Sequence, residues 1–560
     1  MTYRLAIHTQ HTSTIALEQN GFLIEVVSEE RFTGRKTDDT FPLKSIFYVI
    51  EKYKIKTFKQ VIFCSHFFNI FKEFPRERKK LIVNPPLFFE FMLAKFKEFI
   101  NSKNKSAKRS LERGRRFFLD NIHVPVEKFS SEEHHPCHAY AAYTLLKADD
   151  FNGNLLVISI DGQGDGVSTM ISTFDSKGKM KVHATAPWFQ SIGELYASTT
   201  EALGMKKMEH EYKVMGLASY AKEKYFADIK LNVFDKIIKF DSKTGLQATY
   251  KSTRNLTPML VNAIKGERFD NVAGALQKCT EDIVLKIFEY WTKKFPKHKI
   301  IFTGGVVMNV KINLTLHSIY GDKIRFMPSG GDESLPIGAL ACDICPNKLK
   351  TPNLLFFGPE YKSSEIVKHF KNTKFNILYD NALDNAARLI ANGEIVARFS
   401  GRSEWGARSL GNRAVLADPS KMESFHLVND YIKVRDFWMP FAPTILDTDV
   451  KRYLQFSSKY APYMINSMKT TELGSNHLRA AKHQTDDTVR AQILHEDDSK
   501  GFYKLIKKFK EISGIGALLN TSLNIHGDPL VTTPNQLKHT VENSMLKYVL
   551  VNDEFIIVKK

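Results

Sequence analysis

Two apolar strands in the first part of the chain each end in a glycine-containing turn. The stretch NLLVISIDGQGDGVSTMISTF (154–174) is typical of strand, turn and strand, and KIIFTGGVVMNVKIN (299–313) of a buried strand, a Gly-Gly turn and a helix. Such turns can present backbone N–H groups to phosphate oxygens. One turn is weak evidence, because glycine turns are common for conformational reasons alone. Two within one unit favour an α/β fold that closes on a nucleotide between two halves.

The chain has 560 residues, more than one ordinary domain holds. The stretch 346–365 contains three prolines and is typical of an interdomain connection. We therefore predict a first domain over 1–350, with a basic helical insertion at about 72–118, and a β-rich second domain over 366–560.

The composition, 43% hydrophobic and 25% charged, is that of a globular protein in water. Five cysteines do not form a disulfide framework, and the lone pair Cys342 and Cys345 lacks the further ligands of a zinc site. The amino terminus lacks the apolar core of a signal peptide, and charges interrupt the longest apolar stretch, 85–100. These features predict a cytoplasmic protein with no membrane partner, in a bacterium or, if phage-encoded, in its host.

The formal net charge of +19 is concentrated locally, since residues 101–120 hold seven basic and two acidic side chains. Two interpretations stay open: a solvated basic face, or a track for a polyanion such as nucleic acid. In the second, the candidate contacts are Lys103, Lys105, Lys108, Arg109, Arg113, Arg115 and Arg116.

The stretch SEEHHPCHAY (131–140) places His134 and His138 four residues apart. On a helix this spacing brings both imidazoles to one face, which is half of a common divalent metal site. From the residues alone the cluster is open to three interpretations: a metal site, a catalytic cluster or a polar loop.

With these motifs in hand, the sequence resembles the O-carbamoyltransferases of the nodulation and antibiotic pathways, the NodU/CmcH/TobZ type. Matching blocks cover nearly the whole chain in order. They are LAIHTQHTSTIAL, SEERFTGRK, EHHPCHAYAAY, IDGQGDG, SIGELYASTTEALG, HEYKVMGLASY, FTGGVVMNVKIN, PSGGDESLPIGAL, GRSEWGARSLGNRAVLADP, IKVRDFWMPFAPTIL, HQTDDTVRAQIL and LLNTSLNIHGDPLVTTP. So many blocks in register make the match specific.

The resemblance implies a two-step enzyme of two α/β domains. The second domain is similar to threonylcarbamoyl-AMP synthase (YrdC-like) and would condense carbamoyl phosphate with ATP to carbamoyl-AMP and pyrophosphate. The first is similar to the tRNA threonylcarbamoyladenosine transferase, with its actin-like and hexokinase-like architecture. It would bind carbamoyl-AMP beside a metal and pass the carbamoyl group to an acceptor hydroxyl.

The resemblance also implies which residues form the transfer site. The metal ligands would be His134, His138, Asp161 and Asp332. Imidazole and carboxylate ligands suit Fe²⁺ or Zn²⁺ at a site with open positions for substrate. His11 would be the general base on the acceptor hydroxyl, with His8 as the alternative if the match is slipped. His135 is interpreted as structural or as a neighbour of the ligands.

Two further sets match the family's nucleotide-binding positions. In the first domain the carbamoyl-AMP cleft would be lined by Glu211, Lys213, Gly304, Gly305, Asn309 and Asn313. In the second domain, the phosphates of Mg²⁺-ATP and carbamoyl phosphate would contact Arg402, Arg408, Arg413, Lys433, Arg435 and Arg490, and ribose or carbamoyl would contact Asn520, Ser522 and Asn524. The guanidinium fork suits phosphate, although some of these arginines could instead form structural ion pairs.

Two positions depart from the family's pattern. Ala407 stands where the family has proline, which changes only the stiffness of the loop. Met439, beside Trp438, stands where the family has arginine. The missing charge affects the expected geometry of carbamoyl phosphate binding and not the class of reaction.

The excess positive charge predicts a polyanionic acceptor, namely a hydroxyl on a modified DNA base such as 5-hydroxymethylcytosine in phage-type DNA. The base would leave the stack with help from Phe117 and Phe118 of the insertion. Three alternatives stay open: a small-molecule or sugar hydroxyl in natural-product or nodulation-factor biosynthesis, a non-catalytic nucleic-acid-binding protein, and tRNA threonylcarbamoylation. A homodimer is also left open.

Overall fold

The computed structural model of the protein describes residues 2–65, 103–146, 153–249, 252–253, 255–351, 355–371, 374–455 and 461–560. The part of the predicted insertion that precedes residue 103 lies outside these residues, as do the side chains of Lys103 and Lys105. Within the described ranges, no helix is both long enough and apolar enough to cross a membrane.

The strands are β1 (Tyr3–His8), β2 (Thr14–Gln19), β3 (Phe22–Ser28), β4 (Gln60–Cys64), β5 (Phe129–Glu132), β6 (Leu155–Gly164), β7 (Val167–Phe174), β8 (Met180–Pro187), β9 (Ile238–Asp241), β10 (Leu246–Thr249), β11 (Lys299–Thr303), β12 (Ile324–Phe326), β13 (Phe375–Leu378), β14 (Val396–Phe399), β15 (Arg413–Ala417), β16 (Ala442–Leu446), β17 (Met468–Lys469), β18 (Thr488–Val489), β19 (Gln492–Leu494), β20 (Ala517–Ser522), β21 (Tyr548–Val551) and β22 (Phe555–Lys559).

The α-helices are α1 (Glu30–Thr33), α2 (Leu43–Tyr53), α3 (Lys103–Asn121), α4 (His134–Leu146), α5 (Ile192–Ala202), α6 (Glu211–Ala218), α7 (Glu223–Ile229), α8 (Thr257–Ala263), α9 (Phe269–Lys294), α10 (Val310–Tyr320), α11 (Leu335–Ile344), α12 (Ser363–His369), α13 (Ala382–Ala391), α14 (Met422–Val428), α15 (Val450–Tyr453), α16 (Glu472–His477), α17 (Lys500–Ser513) and α18 (Pro534–Glu542).

The first sheet has the strand order β3-β2-β1-β4-β5. Strands β1, β2 and β3 form an antiparallel meander, whereas β4 and β5 run parallel to β1. Between β2 and β3 the chain turns at Asn20 and Gly21, with φ of 50° and 88°. Positive φ at both positions is typical of a type I′ turn, so the hairpin that the Asn-Gly pair predicts is confirmed.

The second sheet repeats this topology, in the order β8-β7-β6-β11-β12. Its first three strands again form an antiparallel meander, and β11 and β12 run parallel to β6. A duplicated sheet of this order is the arrangement of actin-like and hexokinase-like proteins, so the fold predicted for the first domain is confirmed. The sequence itself shows no repeat.

Two helices pack between these sheets and bring distant residues together. Helix α4 lies on the second sheet and α11 on the first, and the two helices pack on each other. Their close approach depends on Gly338, because a Cβ there would lie 1.8 Å from the carbonyl oxygen of Cys137. This packing places the start of α4 beside the turn that precedes α11.

The second domain is built on one mixed sheet of eight strands, in the order β13-β22-β21-β14-β15-β20-β16-β19. Apolar residues of α13 and α17 pack on one face, and those of α12, α14 and α18 pack on the other. The predicted α/β class of this domain is therefore confirmed.

Candidate active site and metal centre

Helix α4 begins with the two candidate imidazole ligands. Asp165 Oδ2 accepts a hydrogen bond of 2.8 Å from the backbone N–H of His134, which caps the start of the helix. The four-residue spacing then brings the Nε2 atoms of His134 and His138 to 3.1 Å from each other. His138 Nδ1 shares a hydrogen bond with Ser334 Oγ, so its Nε2 is left to face His134.

Two aspartates complete the cluster. Asp161 lies in β6, and its Oδ2 is 2.9 Å from His134 Nε2 and 3.7 Å from His138 Nε2. Asp332 lies in a 3₁₀ turn before α11, and its Oδ1 is 3.5 Å and 3.8 Å from the same two nitrogens. One candidate ligand atom from each of the four residues lies within 4.8 Å of the others. The structure therefore brings together the four predicted metal ligands.

The charges in this cluster favour a cation. Burial lowers the pKa of His134, but the carboxylates of Asp332, Asp161 and Asp165 outweigh it and raise that pKa to about 9. At Asp161, burial is outweighed by His134 and His138, which lower the pKa of the carboxyl. Two imidazoles with two carboxylates suit Fe²⁺ or Zn²⁺ better than Ca²⁺ or Mg²⁺, which prefer oxygen ligands alone. The donor set fits the predicted metal.

His135 is turned away from this cluster. Its Nε2 lies 3.0 Å from the carbonyl oxygen of Val167, and its Nδ1 lies 3.0 Å from Ser159 Oγ. Because a carbonyl oxygen only accepts, Nε2 carries a proton. Burial and the neighbouring His134 lower the pKa of His135 to about 3. Both ring nitrogens therefore contact groups of the protein, which agrees with the interpretation of His135 as a structural residue.

The Gly-Gly turn after β11 supports the metal cluster. Gly304 has a φ of 85°, and a Cβ there would lie 2.4 Å from the carbonyl oxygen of Ile160. The backbone N–H of Gly305 donates a 2.8 Å hydrogen bond to Asp161 Oδ1 and so orients that carboxylate. The sequence predicts that this turn presents N–H groups to phosphate. In the structure the N–H of Gly305 binds a carboxylate instead.

A cavity of about 830 Å³ lies between the two domains and joins the metal cluster to a basic region. Asp161 and Asp332 form part of its wall, whereas the imidazoles of His134 and His138 are buried. The predicted site residues that line it are His11, Asp161, Asp332, Glu211, Lys213, Gly305, Asn309, Arg408, Lys433, Arg435, Arg490, Asn520, Ser522 and Asn524. The structure thus gathers residues of both domains around one space.

His11 lies in the turn between β1 and β2 and faces this cavity. Glu211 and Glu333 also line the cavity near it. Burial raises the pKa of both carboxyl groups, and the charge of His11 opposes that rise. An imidazole in this position can accept a proton from a hydroxyl group bound in the cavity.

One region of the cavity wall is basic. Four cationic side chains line it: Arg408, Lys433, Arg435 and Arg490. Burial, with Arg408 and Arg435 nearby, lowers the pKa of Arg490 well below its usual value, and burial with Arg435 does the same to Lys433. Among the described residues, Nε of Arg408 and of Arg490 has no hydrogen-bond partner. Such uncompensated charge suits an anion with several oxygens, such as a phosphate.

Strand β20 and the loop after it supply polar groups beside these cations. Lys433 Nζ donates to Ser522 Oγ at 3.1 Å and to the carbonyl oxygen of Asn524 at 3.0 Å. Arg435 donates to Thr521 Oγ1 at 2.8 Å. Asn520 lies deeper, hydrogen-bonded within the sheet. The lysine, which also donates to Asn524 Oδ1, therefore fixes Ser522 and Asn524, two of the three residues that the resemblance assigns to ribose or carbamoyl.

Four predicted nucleotide-site residues do not line the cavity: Gly304, whose turn is described above, and Arg402, Arg413 and Asn313. Arg402 donates to the carbonyl oxygens of Ile24 and Gly358 and pairs with Glu25 of the first domain. Its guanidinium is used to join the two domains. The expected phosphate contact of Arg402 is corrected to a structural one.

Arg413 and Asn313 are likewise used by the protein itself. The fully buried guanidinium of Arg413 donates to four backbone carbonyls and lies 3.8 Å from the ring centre of Phe399. Asn313 Nδ2 donates to the carbonyl oxygens of Val307 and Ile465. These interactions correct the expected phosphate contact of Arg413 and the expected nucleotide contact of Asn313.

Two cavity residues, Lys36 and His526, were missed from the sequence. Lys36 of the first domain lines the cavity and contributes to the lowered pKa of Lys433. His526 Nδ1 is 2.7 Å from the carbonyl oxygen of Lys433. Met439, in place of the family's arginine, also lines the cavity. Lys36 and His526 both lie inside blocks that carry the resemblance, which is the signal that could have identified them.

Helix α3 carries the basic stretch, but its aromatic residues belong to the core. Phe118 is fully buried and packs against Phe58, and the ring centre of Phe117 lies 4.6 Å from that of Phe41. The role expected for these two rings in unstacking a DNA base is therefore wrong, because the fold buries or covers them. Arg115 and Arg116 pair with a glutamate on the same helix. The described side chains of α3 do not line the cavity.

Comparisons with known proteins bear on both domains. Residues 3–342 match the family model "Carbamoyltransferase N-terminus", and residues 387–559 match "Carbamoyltransferase C-terminus". The protein MJ1051 of Methanocaldococcus jannaschii is 32% identical over 540 residues, 94% of this chain and 94% of that protein. Nodulation protein NolNO of Sinorhizobium fredii is 26% identical over 547 residues, 93% of this chain and 75% of that protein. The 3'-hydroxymethylcephem-O-carbamoyltransferase of Amycolatopsis lactamdurans is 30% identical over 170 residues, 30% of this chain and 32% of that protein.

Fold, site and matched models together define a two-domain α/β protein of the carbamoyl-transferring class. The chain belongs to the carbamoyltransferase family, because one family model alone matches more than half of it. The resemblance to the NodU/CmcH/TobZ type that the sequence blocks predict is confirmed.

Proposed function

We propose that the protein is an ATP-dependent O-carbamoyltransferase that uses carbamoyl phosphate and a carbamoyl-AMP intermediate. The observation that carries this proposal is a single cavity whose wall holds two groups of side chains with opposite charge requirements. The first group is four cationic side chains, two of which have an Nε without a partner among the described residues, and the second is two carboxylates that belong to the cluster with two imidazoles. The first suits phosphate groups, and the second suits a divalent metal.

In the first step, water cleaves carbamoyl phosphate to carbamate and phosphate. A carbamate oxygen then attacks the α-phosphorus of ATP, which forms carbamoyl-AMP and releases pyrophosphate. Arg408, Arg435 and Arg490 bind the phosphate oxygens and offset their charge, with Mg²⁺ accompanying ATP. Ser522 and Asn524, fixed by Lys433, orient the ribose or the carbamoyl group.

In the second step, the acceptor oxygen attacks the carbamoyl carbon, the bond from that carbon to the phosphate oxygen breaks, and AMP leaves. His11 takes the proton of the acceptor hydroxyl. The four clustered residues His134, His138, Asp161 and Asp332 would hold Fe²⁺ or Zn²⁺. The metal, when bound, supplies a Lewis acid that polarises the carbamoyl carbonyl.

For the acceptor, we propose a hydroxyl on a hydroxymethylated pyrimidine in DNA. The support is the net charge of +19 and the exposed Lys108, Arg109 and Arg113 on α3. A polyanion held there would reach the cavity from outside, since α3 does not line it. The position of α3 outside the cavity wall favours the second candidate acceptor, a free sugar or other small molecule that enters the cavity as a whole and presents a hydroxyl there.

The test is to incubate the protein with carbamoyl phosphate, Mg²⁺-ATP and Fe²⁺ or Zn²⁺. The acceptors are hydroxymethylated DNA, the matching free nucleosides and a panel of sugars, with mass spectrometry for a carbamoyl group in place of hydrogen. We expect pyrophosphate release that requires carbamoyl phosphate, and a carbamoylated product. Transfer to free sugar or nucleoside with no effect of polymer would favour the small-molecule acceptor. Absence of pyrophosphate release would contradict the proposal, and dependence on threonine and bicarbonate would indicate threonylcarbamoylation.

A salt titration of binding to plain duplex DNA separates the acceptor question from the chemistry. Phosphate contacts make affinity fall steeply with salt. Lack of binding at low salt, or a slope near zero, would remove DNA as the acceptor and leave the carbamoyl transfer proposal intact.

A further inference from the structure

His8 is a buried histidine whose ring nitrogens the protein leaves without hydrogen-bond partners. It is the last residue of β1 and is fully buried. Among the described residues, neither Nδ1 nor Nε2 has a partner. Buried polar atoms are nearly always hydrogen-bonded, and an exception needs an explanation.

The contrast with His135 is informative. That ring is as deeply buried, but both of its nitrogens are within hydrogen-bonding distance of Ser159 and Val167. Such a histidine is satisfied by the fold alone. His8 is not, which indicates that its partner belongs to another state of the site.

The nearest charged group identifies that partner. His8 Nε2 lies 3.5 Å from Oδ2 of Asp332, which is longer than a normal N–H···O hydrogen bond. The other oxygen of the same carboxylate, Oδ1, faces His134 and His138 at 3.5 Å and 3.8 Å. Asp332 therefore lies between His8 on one side and the imidazole pair on the other.

His8 lies outside the set of candidate ligands. The four residues whose ligand atoms all lie within 4.8 Å of one another are His134, His138, Asp161 and Asp332, and His8 is not among them. A direct bond to the same metal is therefore not what the geometry favours. A hydrogen bond to the back of a ligating carboxylate is the arrangement that commonly orients metal ligands.

We propose that His8 is a positioning residue of the metal centre. Its Nε2–H donates to Oδ2 of Asp332, and this holds Oδ1 towards the two imidazoles. The inference rests on the proposed metal site, to which it adds a function for a residue outside the ligand set.

The consequence is a tighter metal site. Removal of a residue that supports a ligand typically weakens metal affinity by about 10- to 100-fold. His8→Leu removes the donor and keeps an apolar group of similar bulk. His8→Gln keeps an N–H donor at nearly the same reach from the backbone. Affinity is therefore expected to fall in His8→Leu and to be largely restored in His8→Gln.

The experiment measures the dissociation constants of Zn²⁺, and of Fe²⁺ without oxygen, for the full-length protein by competition with a chromophoric chelator. Leu5→Ala is the matched control, because Leu5 is also fully buried in β1 but carries no donor. It is expected to lower thermal stability and to bind metal like the wild type. His138→Ala is the reference for loss of a ligand. Circular dichroism of each variant confirms that it is folded.

The outcomes separate the two proposals. If the wild type and His138→Ala bind metal equally, the proposed metal site itself fails. If His138→Ala loses metal but His8→Leu binds like the wild type, only the function of His8 fails. An equal loss of metal affinity in His8→Gln and His8→Leu would also contradict the proposal that His8 donates a hydrogen bond to Asp332. The absorption spectrum of bound Co²⁺ is expected to be the same in the wild type and His8→Gln, and a changed spectrum would instead indicate that His8 is a direct ligand.

Discussion

Two regions of the cavity wall differ in the sign of their charge: the metal end with Asp161 and Asp332, and the phosphate end with Arg408, Lys433, Arg435 and Arg490. At the metal end, the carboxylates outweigh burial and raise the pKa of His134, and the imidazoles outweigh burial and lower the pKa of Asp161. At the phosphate end, burial with Arg408 and Arg435 nearby lowers the pKa of Arg490, and Nε of Arg408 and of Arg490 has no partner among the described residues. The sign of the charge thus distinguishes where metal and where phosphate would bind, although both regions belong to one cavity.

The largest effect is expected from removing a cation at the phosphate end. Arg490→Met should lower carbamoyl-phosphate-dependent pyrophosphate release by about 100-fold, because charged hydrogen bonds to phosphate are lost. Metal content, measured by elemental analysis, should be unchanged. Arg479→Met is the control, since Arg479 is exposed and outside the cavity. Equal pyrophosphate release in Arg490→Met and Arg479→Met would contradict the assignment of phosphate binding to the basic region.

A smaller effect, on stability and not on chemistry, is expected from an arginine outside the cavity. Arg402→Met leaves Glu25 buried with Lys52 as its remaining cation. We expect the free energy of unfolding in denaturant to fall by about 2 to 3 kcal/mol. The KM for ATP should stay within about twofold of the wild type. A large rise in KM would show that Arg402 contacts phosphate after all.

The phosphate end should also respond to pH in a definite direction. Burial, with Arg435 and Lys36 nearby, lowers the pKa of Lys433 well below 10.5. Below that lowered pKa the lysine is already charged, so anion binding requires no proton uptake. Above it, binding requires uptake of a proton, so the affinity for pyrophosphate should fall by up to about tenfold per pH unit. Calorimetry in buffers of different ionisation enthalpy measures the uptake, and Lys433→Met should abolish it.

The smallest effect is expected on the outer surface. Arg115 and Arg116 form exposed pairs with Glu112, and such pairs contribute little. Replacing both arginines by alanine should change the free energy of unfolding by less than about 0.5 kcal/mol. If α3 binds DNA, the same change should reduce the salt dependence of duplex binding. An unchanged salt slope would indicate that this face is only solvated.

Much of the site could be predicted because its residues follow local sequence patterns. The four-residue spacing of His134 and His138 fixes a shared helix face, and the Asn-Gly pair fixes a hairpin turn. Residues whose partners are far away in the chain were harder to assign. Arg402 and Arg413 lie in the same block as Arg408, and only tertiary contacts separate the structural arginines from the one that faces the cavity.

The rest depends on topology. The duplicated sheet leaves no repeat in the sequence, because strand order is set by connections and not by particular side chains. Phe117 and Phe118 lie in a polar, basic segment, but the packing of α3 on the first sheet covers them. His8 shows its unsatisfied nitrogens only once Asp332 is placed beside it.

The most direct test of the proposed division between the two steps is the pyrophosphate released from ATP and carbamoyl phosphate by His138→Ala. His138 belongs to the metal cluster, and it is fully buried and does not line the cavity as the arginines do. We expect loss of bound metal and of the carbamoylated product, with pyrophosphate release within about twofold of the wild type. Loss of pyrophosphate release in a folded His138→Ala protein would contradict the assignment of the two steps to the two ends.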